Sequence, residues 1–368
     1  MRKFRILSSA AALLAALIIA VCTVLPGAPA AAAEPAEKYY RYRAYFDDTF
    51  DTIITLIGYA TDEYAFADIY AEVYKLFSEY HRLFDGYHTY EGIENLCSVN
   101  QKAGTEPVKI NPKLYDFLSW CLEREAEFGS DQVNIAMGAV LQLWHSYRQA
   151  GIDNPLTAKL PPMEDLQAAA QHMDISGVIL DPENMTVFFA DPGLKLDFGA
   201  VAKGYTAQIA ADYLSASAMP SFILNAGGNV CAGHVKADTG ALWGIGIQNP
   251  DGFTGSDLFD TIYAANKAVV TSGDYQRFYT VDGKRYAHLI SPDTLMPAEQ
   301  FRGVTVVADD SGLCDFLSTY LFIADYETGR ALVDSLPGVE ALWILPDRSV
   351  LNTDGMTSYL ESAGAVSK

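Results

Sequence analysis

The chain has 368 residues, and half of them are hydrophobic, so it can bury a large core and does not belong to the disordered class. Lys and Arg number 25 against 46 Asp and Glu, a formal net charge of -21. A surface of that sign repels nucleic-acid phosphates, which excludes DNA or RNA as a partner, and an anionic small molecule would need local relief from a cation or from helix N-termini.

The N-terminus carries the clearest local signal. Arg2, Lys3 and Arg5 precede an apolar stretch over residues 8–24, and a small-residue run over 28–33 ends before Glu34. This order is that of a secretion signal and predicts a protein that acts outside the cytoplasm, associated with the cell membrane. Cleavage after Ala33, lipidation at Cys22 and an uncleaved anchor all fit the pattern. Residues 1–33 are therefore read as a signal peptide or membrane segment. Residues 34–368 are read as one catalytic body with room for two lobes and no second membrane span.

Residues 39–59 are rich in aromatic and β-branched side chains and predict a strand, with Ile53, Thr55 and Ile57 alternating. Asp62 caps a long helix whose apolar stripe runs from Phe66 to Phe84 at spacings of three and four. Residues 88–104 look polar and irregular. Pro112 opens a second helix, which Gly129 stops, and residues 134–144 read as helical. A loop over 151–162 and a short helix over 164–172 follow. Beyond them, strands are expected over 177–180, 186–190, 221–225, 243–248, 259–265, 303–308 and 340–345. Helices are expected over 203–216, 313–323 and 328–336. Cys97, Cys121, Cys231 and Cys314 show no C-x-x-C spacing and read as buried thiols, with one disulfide left open.

Several residue patterns suit chemistry. Asp315 and Thr319 are four apart on one predicted helix face and offer hard oxygens of the kind Mg2+ takes, although each could serve only its helix. Asn225-Ala226-Gly227-Gly228-Asn229 follows a strand and permits close backbone approach to a ligand, or is a plain turn. Lys203, near a helix start, is unfavourable for the helix dipole unless an anion such as phosphate compensates. His288 can move protons near neutral pH, and the other histidines show no ligand spacing. The usual hydrolase motifs G-x-S-x-G and H-E-x-x-H are absent from the sequence.

Five of these stretches in order resemble the FAD:protein FMN transferases, the ApbE family: 197–205, 225–229, Ser272-Gly273-Asp274-Tyr275, 288–292 with Thr294 and Pro297, and Asp315-Phe316-Leu317-Ser318-Thr319. The resemblance spans residues 50–358. It implies an α+β fold of mixed sheets with packed helices and transfer of FMN from FAD to a Thr or Ser hydroxyl of an exported flavin-accepting protein, with release of AMP. It also implies Mg2+ held by the Ala200 carbonyl, Asp315 and Thr319. The acceptor hydroxyl must lose its proton in such a reaction, and His288 has a suitable ordinary pKa to take it, with Asp274 or a metal-bound water as alternatives. FAD contacts would fall on Phe50, Tyr87, Gln132, Val133, Asn134, Asp197, Lys203 and Leu289, with Gly227 and Gly228 shaping the pocket. An FAD pyrophosphatase or a flavin-binding lipoprotein are the competing functions, and the oligomeric state stays open. The chain departs from the family pattern at Phe50-Asp51-Thr52 for Met-Gly-Thr, Asn134 for Asp, Leu295 for Gly and Cys314 for Ala.

Overall fold

Residues 38–129, 132–252 and 257–368 are described by a computed structural model. The expected export signal and Cys22 lie outside the described residues. Tyr39–Lys368 is one unit by its internal contacts.

The stretch expected as one strand is a hairpin of β1 (Tyr40–Thr49) and β2 (Thr52–Ala60). Phe50 and Asp51 form its turn at φ of 54° and 50°, and a two-residue turn of this hand matches the strand twist. The Asp62 carboxylate accepts from Ala65 N and starts α1 (Glu63–Phe84), which buries the expected aromatic stripe. The stretch expected as irregular contains α2 (Leu96–Lys102), started by reciprocal bonds between Asn95 and Ser98. That polar capping pair has no apolar run beside it to mark a helix in sequence.

After β3 (Val108–Lys109), α3 (Pro112–Phe128) ends at Gly129, where φ is 83°. The next helix, α4 (Gly138–Asp153), starts four residues later than expected and runs into the expected loop. The main-chain groups of 134–138 have partners elsewhere: Ala136 N donates to Asn134 Oδ1 and Gly138 N to the Lys195 carbonyl. Then come α5 (Met163–Ala170), β4 (Val178–Asp181), β5 (Thr186–Phe189), α6 (Ala202–Ala216), β6 (Phe222–Ala226) and β7 (Asn229–Ala232). They are followed by β8 (Trp243–Gln248), β9 (Leu258–Ala264), β10 (Lys267–Gly273), β11 (Phe278–Val281), β12 (Lys284–Ala287) and β13 (Gly303–Ala308). The chain closes with α7 (Ser311–Ile323), α8 (Tyr326–Ser335), β14 (Glu340–Ile344) and β15 (Val350–Asn352).

Eight strands form one sheet in the order β1-β2-β6-β7-β10-β13-β14-β15, every neighbour antiparallel. Helices cover one face, and the β8–β9 pair packs against the other through Trp243, Ile245 and Ile247. This is the expected α+β arrangement. β13 is covered on both sides and buried at all six positions, so it carries no charged residue, and its one polar side chain, Thr305, meets Thr271 Oγ1 at 2.9 Å. α7 is buried almost all round. A helix in that position normally carries no carboxylate, so the buried Asp315 within it requires an explanation beyond stability. The four cysteines are buried and free. Among the described residues no helix is long and apolar enough to cross a membrane.

Candidate active site

α6 and α7 meet at Gly204. A Cβ there would lie 2.3 Å from Asp315 Cβ and 2.4 Å from the Ser311 carbonyl oxygen, so the contact exists only because position 204 is glycine. Gly204 N donates to Asp315 Oδ2 at 2.8 Å. Gly204 is the third residue of α6, whose first main-chain bond runs from Tyr205 N to the Val201 carbonyl, so the Gly204 N–H has no acceptor within the helix and Asp315 supplies one; Ala200 lies just before the helix, on the cavity wall. Burial pushes the Asp315 carboxyl up, against the lowering effects of the Lys203 charge, the Gly204 N–H and the Asn229 amide.

Thr319 lies one turn along α7 and is also buried. Its contact with Ser272 Oγ, at 3.5 Å, is too long to satisfy the hydroxyl, while Ser272 instead meets Ser318 Oγ at 2.8 Å. A carbonyl, a carboxylate and a hydroxyl, each with free acceptor capacity, make a hard-oxygen donor set that fits Mg2+. Among the described residues no three His, Cys, Asp or Glu side chains converge for a metal. A cation here would therefore also draw on substrate phosphates. The first turn of α6 carries Lys203, no acid and no side-chain cap, which suits an anion.

His288 follows β12. Its main-chain N–H and its Nδ1 both meet the Arg277 carbonyl at 3.1 Å. A carbonyl only accepts, so Nδ1 carries the proton and Nε2 is left with a lone pair. Burial, then Arg277, Lys203 and Arg148, push the imidazole down to about 3, and the Arg277 carbonyl opposes them weakly. Asp274, the alternative base, is held by Arg302 Nε at 2.8 Å and is not in the cavity wall.

The floor is built from two chain segments. Ile135 N donates to Glu125 Oε1 at 2.8 Å, and the Ile135 carbonyl accepts from Asp197 N at 2.8 Å. Burial raises the Glu125 carboxyl to about 7 despite the Ile135 N–H. Asp197 Oδ1 accepts from Gly199 N at 2.8 Å, and burial raises this carboxyl too. The Asn134 amide is engaged at both ends, with Ala136 N at 2.7 Å and the Met173 carbonyl at 3.0 Å. It therefore shapes the floor first through its own loop.

At the mouth, Phe50 N donates to His81 Nδ1 at 3.2 Å. The Arg277 guanidinium faces the Phe50 and Asp51 carbonyls at 3.5 and 3.4 Å. Tyr87, 52% exposed, lays its ring on His145 at 4.7 Å. The whole recess is a cavity of about 750 Å³. Phe50, Tyr87, Gln132, Val133, Asn134, Asp197, Ala200, Lys203, Gly227, His288, Leu289, Asp315 and Thr319 all line it. Gly228, at φ of 98°, completes the β6–β7 turn, and a Cβ there would lie 3.7 Å from the Thr271 carbonyl oxygen and 3.8 Å from Gln276 Nε2, both residues of the cavity wall. Gly227 is needed for packing, since a Cβ would lie 2.2 Å from Thr52 Oγ1.

The sequence reading missed Arg148, Arg277, His145 and His81 in the wall, and Glu125 beneath it. For Arg148 a signal existed. It follows Trp144 by four residues on α4 and shares its face. That helix was expected to end at 144, so no face was assigned to the residue.

Residues 50–343 match the model of the ApbE family. A protein of Treponema pallidum named FAD:protein FMN transferase is 34% identical over 71% of this chain and 73% of its own length. A protein of the same name from Klebsiella pneumoniae is 29% identical over 69% of this chain and 75% of its own. The crystal structure of the ApbE protein of Thermotoga maritima superposes with a TM-score of 0.72 at 26% identity, covering 88% of this chain and 99% of that one. The flavin transferase ApbE of Vibrio cholerae shares the fold at a TM-score of 0.70 and 21% identity.

Proposed function

The chain belongs to the ApbE family, and from that premise we propose that it moves FMN from FAD to a Thr or Ser hydroxyl of an exported protein, using Mg2+ and releasing AMP. Flavin transfer itself follows from the family. The finer steps are assigned to this chain's own residues.

One observation carries the assignment: a carboxylate buried within α7, Asp315, takes the Gly204 N–H on Oδ2 and shares one recess with the Thr319 hydroxyl and with Ala200. Mg2+ held by these three would neutralise pyrophosphate charge and polarise the phosphorus under attack. Lys203 and the uncapped start of α6 hold phosphate oxygens. His288 accepts the hydroxyl proton on Nε2, because its Nδ1–H is committed to Arg277. Phe50, Tyr87, Leu289, Asp197 and the 132–134 segment surround the rest of the substrate. The protein acts outside the cytoplasm, where its acceptor is found.

The test incubates the purified protein with FAD, Mg2+ and exported proteins from cells that lack it. Mass spectrometry then looks for a gain equal to an FMN group. Wild type labels an acceptor, Asp315→Asn still binds FAD but loses nearly all transfer, and His288→Ala slows transfer without loss of Mg2+ binding. Near-normal labelling by Asp315→Asn overturns the metal assignment. Free FMN without labelled protein marks a pyrophosphatase instead.

A further inference from the structure

We propose that Arg148 and Arg277 form a site for the nucleoside monophosphate that leaves during transfer, and that they thereby select a dinucleotide over a mononucleotide as flavin donor. This rests on the flavin-transfer reading of the cavity. It adds a second anion subsite, built from residues outside the motifs that carry the family resemblance.

The cations of the cavity come from separate elements. Lys203 stands on α6 and acts on Asp315. Arg148 stands on α4 and Arg277 just before β11, and these two act on each other, on Tyr87 and on His145. His288 is within electrostatic reach of all three.

Both arginines line the cavity, and their partners differ from those of the arginines held in ion pairs. Arg302 pairs with Asp251 and Asp274, and Arg330 pairs with Asp334 and Asp354. Among the described residues, neither Arg148 nor Arg277 is ion-paired with a carboxylate. Arg148 meets His145 Nδ1 at 3.1 Å, and Arg277 meets only main-chain carbonyls at 3.4–3.5 Å. Arg148 is partly buried and Arg277 exposed, and both line the same cavity. Burial and the Arg277 charge both make Arg148 harder to keep protonated. A dianion bound in the cavity within reach of both guanidinium groups would offset that effect on Arg148 and take charge-assisted hydrogen bonds from them. Asp51 and Asp197 are the nearby acids. Asp197 already accepts from Gly199 N and is suited to accept further from substrate N–H or O–H groups.

The reaction needs such a site. The acceptor oxygen forms a bond to the FMN phosphorus, and the bond from that phosphorus to the bridging oxygen breaks. The electron pair stays on that oxygen, the hydroxyl proton passes to His288, and AMP leaves with the second negative charge on its phosphate. Lys203 and the Asp315 end serve the phosphorus under attack, so the charge that grows on AMP needs its own partners.

The experiment measures equilibrium binding of AMP, adenosine and FAD to wild type, Arg148→Gln, Arg277→Gln and Arg148→Lys, without metal. AMP affinity is expected to fall about tenfold or more in each Gln variant and to recover in part in Arg148→Lys, while adenosine binds equally to all. AMP affinities within twofold of wild type in both Gln variants overturn the proposal, as does an equal loss for adenosine. Wild type that binds FAD but no AMP overturns this inference alone. Wild type that binds no FAD even when Mg2+ is added overturns the flavin reading, and this inference with it.

Discussion

The two ends of the cavity are built by opposite means. At the α6–α7 end the geometry is set by main chain and burial: Gly204 N on Asp315, two packed helices, and no space for one methyl group. At the mouth it is set by long side chains and a two-residue turn, with Arg277 reaching the Phe50 and Asp51 carbonyls over 3.4–3.5 Å and Tyr87 half exposed. The difference teaches that the end assigned to bond cleavage is preorganised, whereas the end that admits substrate and acceptor can adjust.

The largest effect that would test this contrast comes from Gly204→Ala. Its Cβ would overlap Asp315 Cβ, so the helices must part or the carboxylate must move. Overpacking of this kind costs about 1–3 kcal/mol, and displacement of a charge-positioning group typically costs about 100-fold in rate. Thermal unfolding and FMN transfer should both fall. Wild-type transfer at an unchanged Tm would show that the close approach is not needed.

A smaller effect concerns His288, which joins the two ends. Its imidazole is held down to about 3 in the folded protein against an ordinary value near 6.5. The unfolded chain therefore binds a proton across that interval that the folded chain refuses. Its contribution to stability is complete above about pH 6.5 and is lost as pH falls towards 3. As a base it should stay neutral through pH 5, so no acid limb of kcat/KM near 6.5 should belong to it. The Arg277→Gln variant, which removes one of the depressing charges, should move the His288 NMR titration upward. An unmoved titration would remove Arg277 from its surroundings.

The smallest effects separate two strained turns. Asp51 and Leu295 both hold positive φ, at 50° and 58°. Asp51 is exposed, so in Asp51→Gly about 1 kcal/mol of strain relief is offset by a similar loss from chain entropy, and Tm should barely change. Leu295 is buried, and its carbonyl accepts from Trp144 Nε1 at 2.9 Å. Leu295→Gly gains the same relief but forfeits about 2–3 kcal/mol of burial, so Tm should fall. Equal shifts in the two variants would mean that burial does not maintain the Leu295 turn.

Much of the cavity wall was legible because local patterns and motif order survive in one dimension. Asp62 and Pro112 started their helices, Gly129 ended one, and the apolar strand β13 stood at its expected position. Other elements were not legible. β10 finds its backbone partners in the distant strands β7 and β13, β7 and β11 are four-residue strands too short to show a clear alternation, and α2 rests on a polar capping pair. The start of α4 was displaced because Gly138 N is bonded to Lys195, a segment nearly sixty positions away.

The sequence by itself determined an acidic chain, an α+β body and an ordered set of motifs that point to the ApbE family. Only the tertiary structure decided that Gly204 gives its N–H to Asp315, that the Arg277 carbonyl sets the His288 tautomer, and that Arg148 enters the wall. The reason is physical. Periodicity and capping act within a few residues and leave marks in the sequence, whereas a hydrogen bond between residues 111 positions apart exists only after packing brings two helices together.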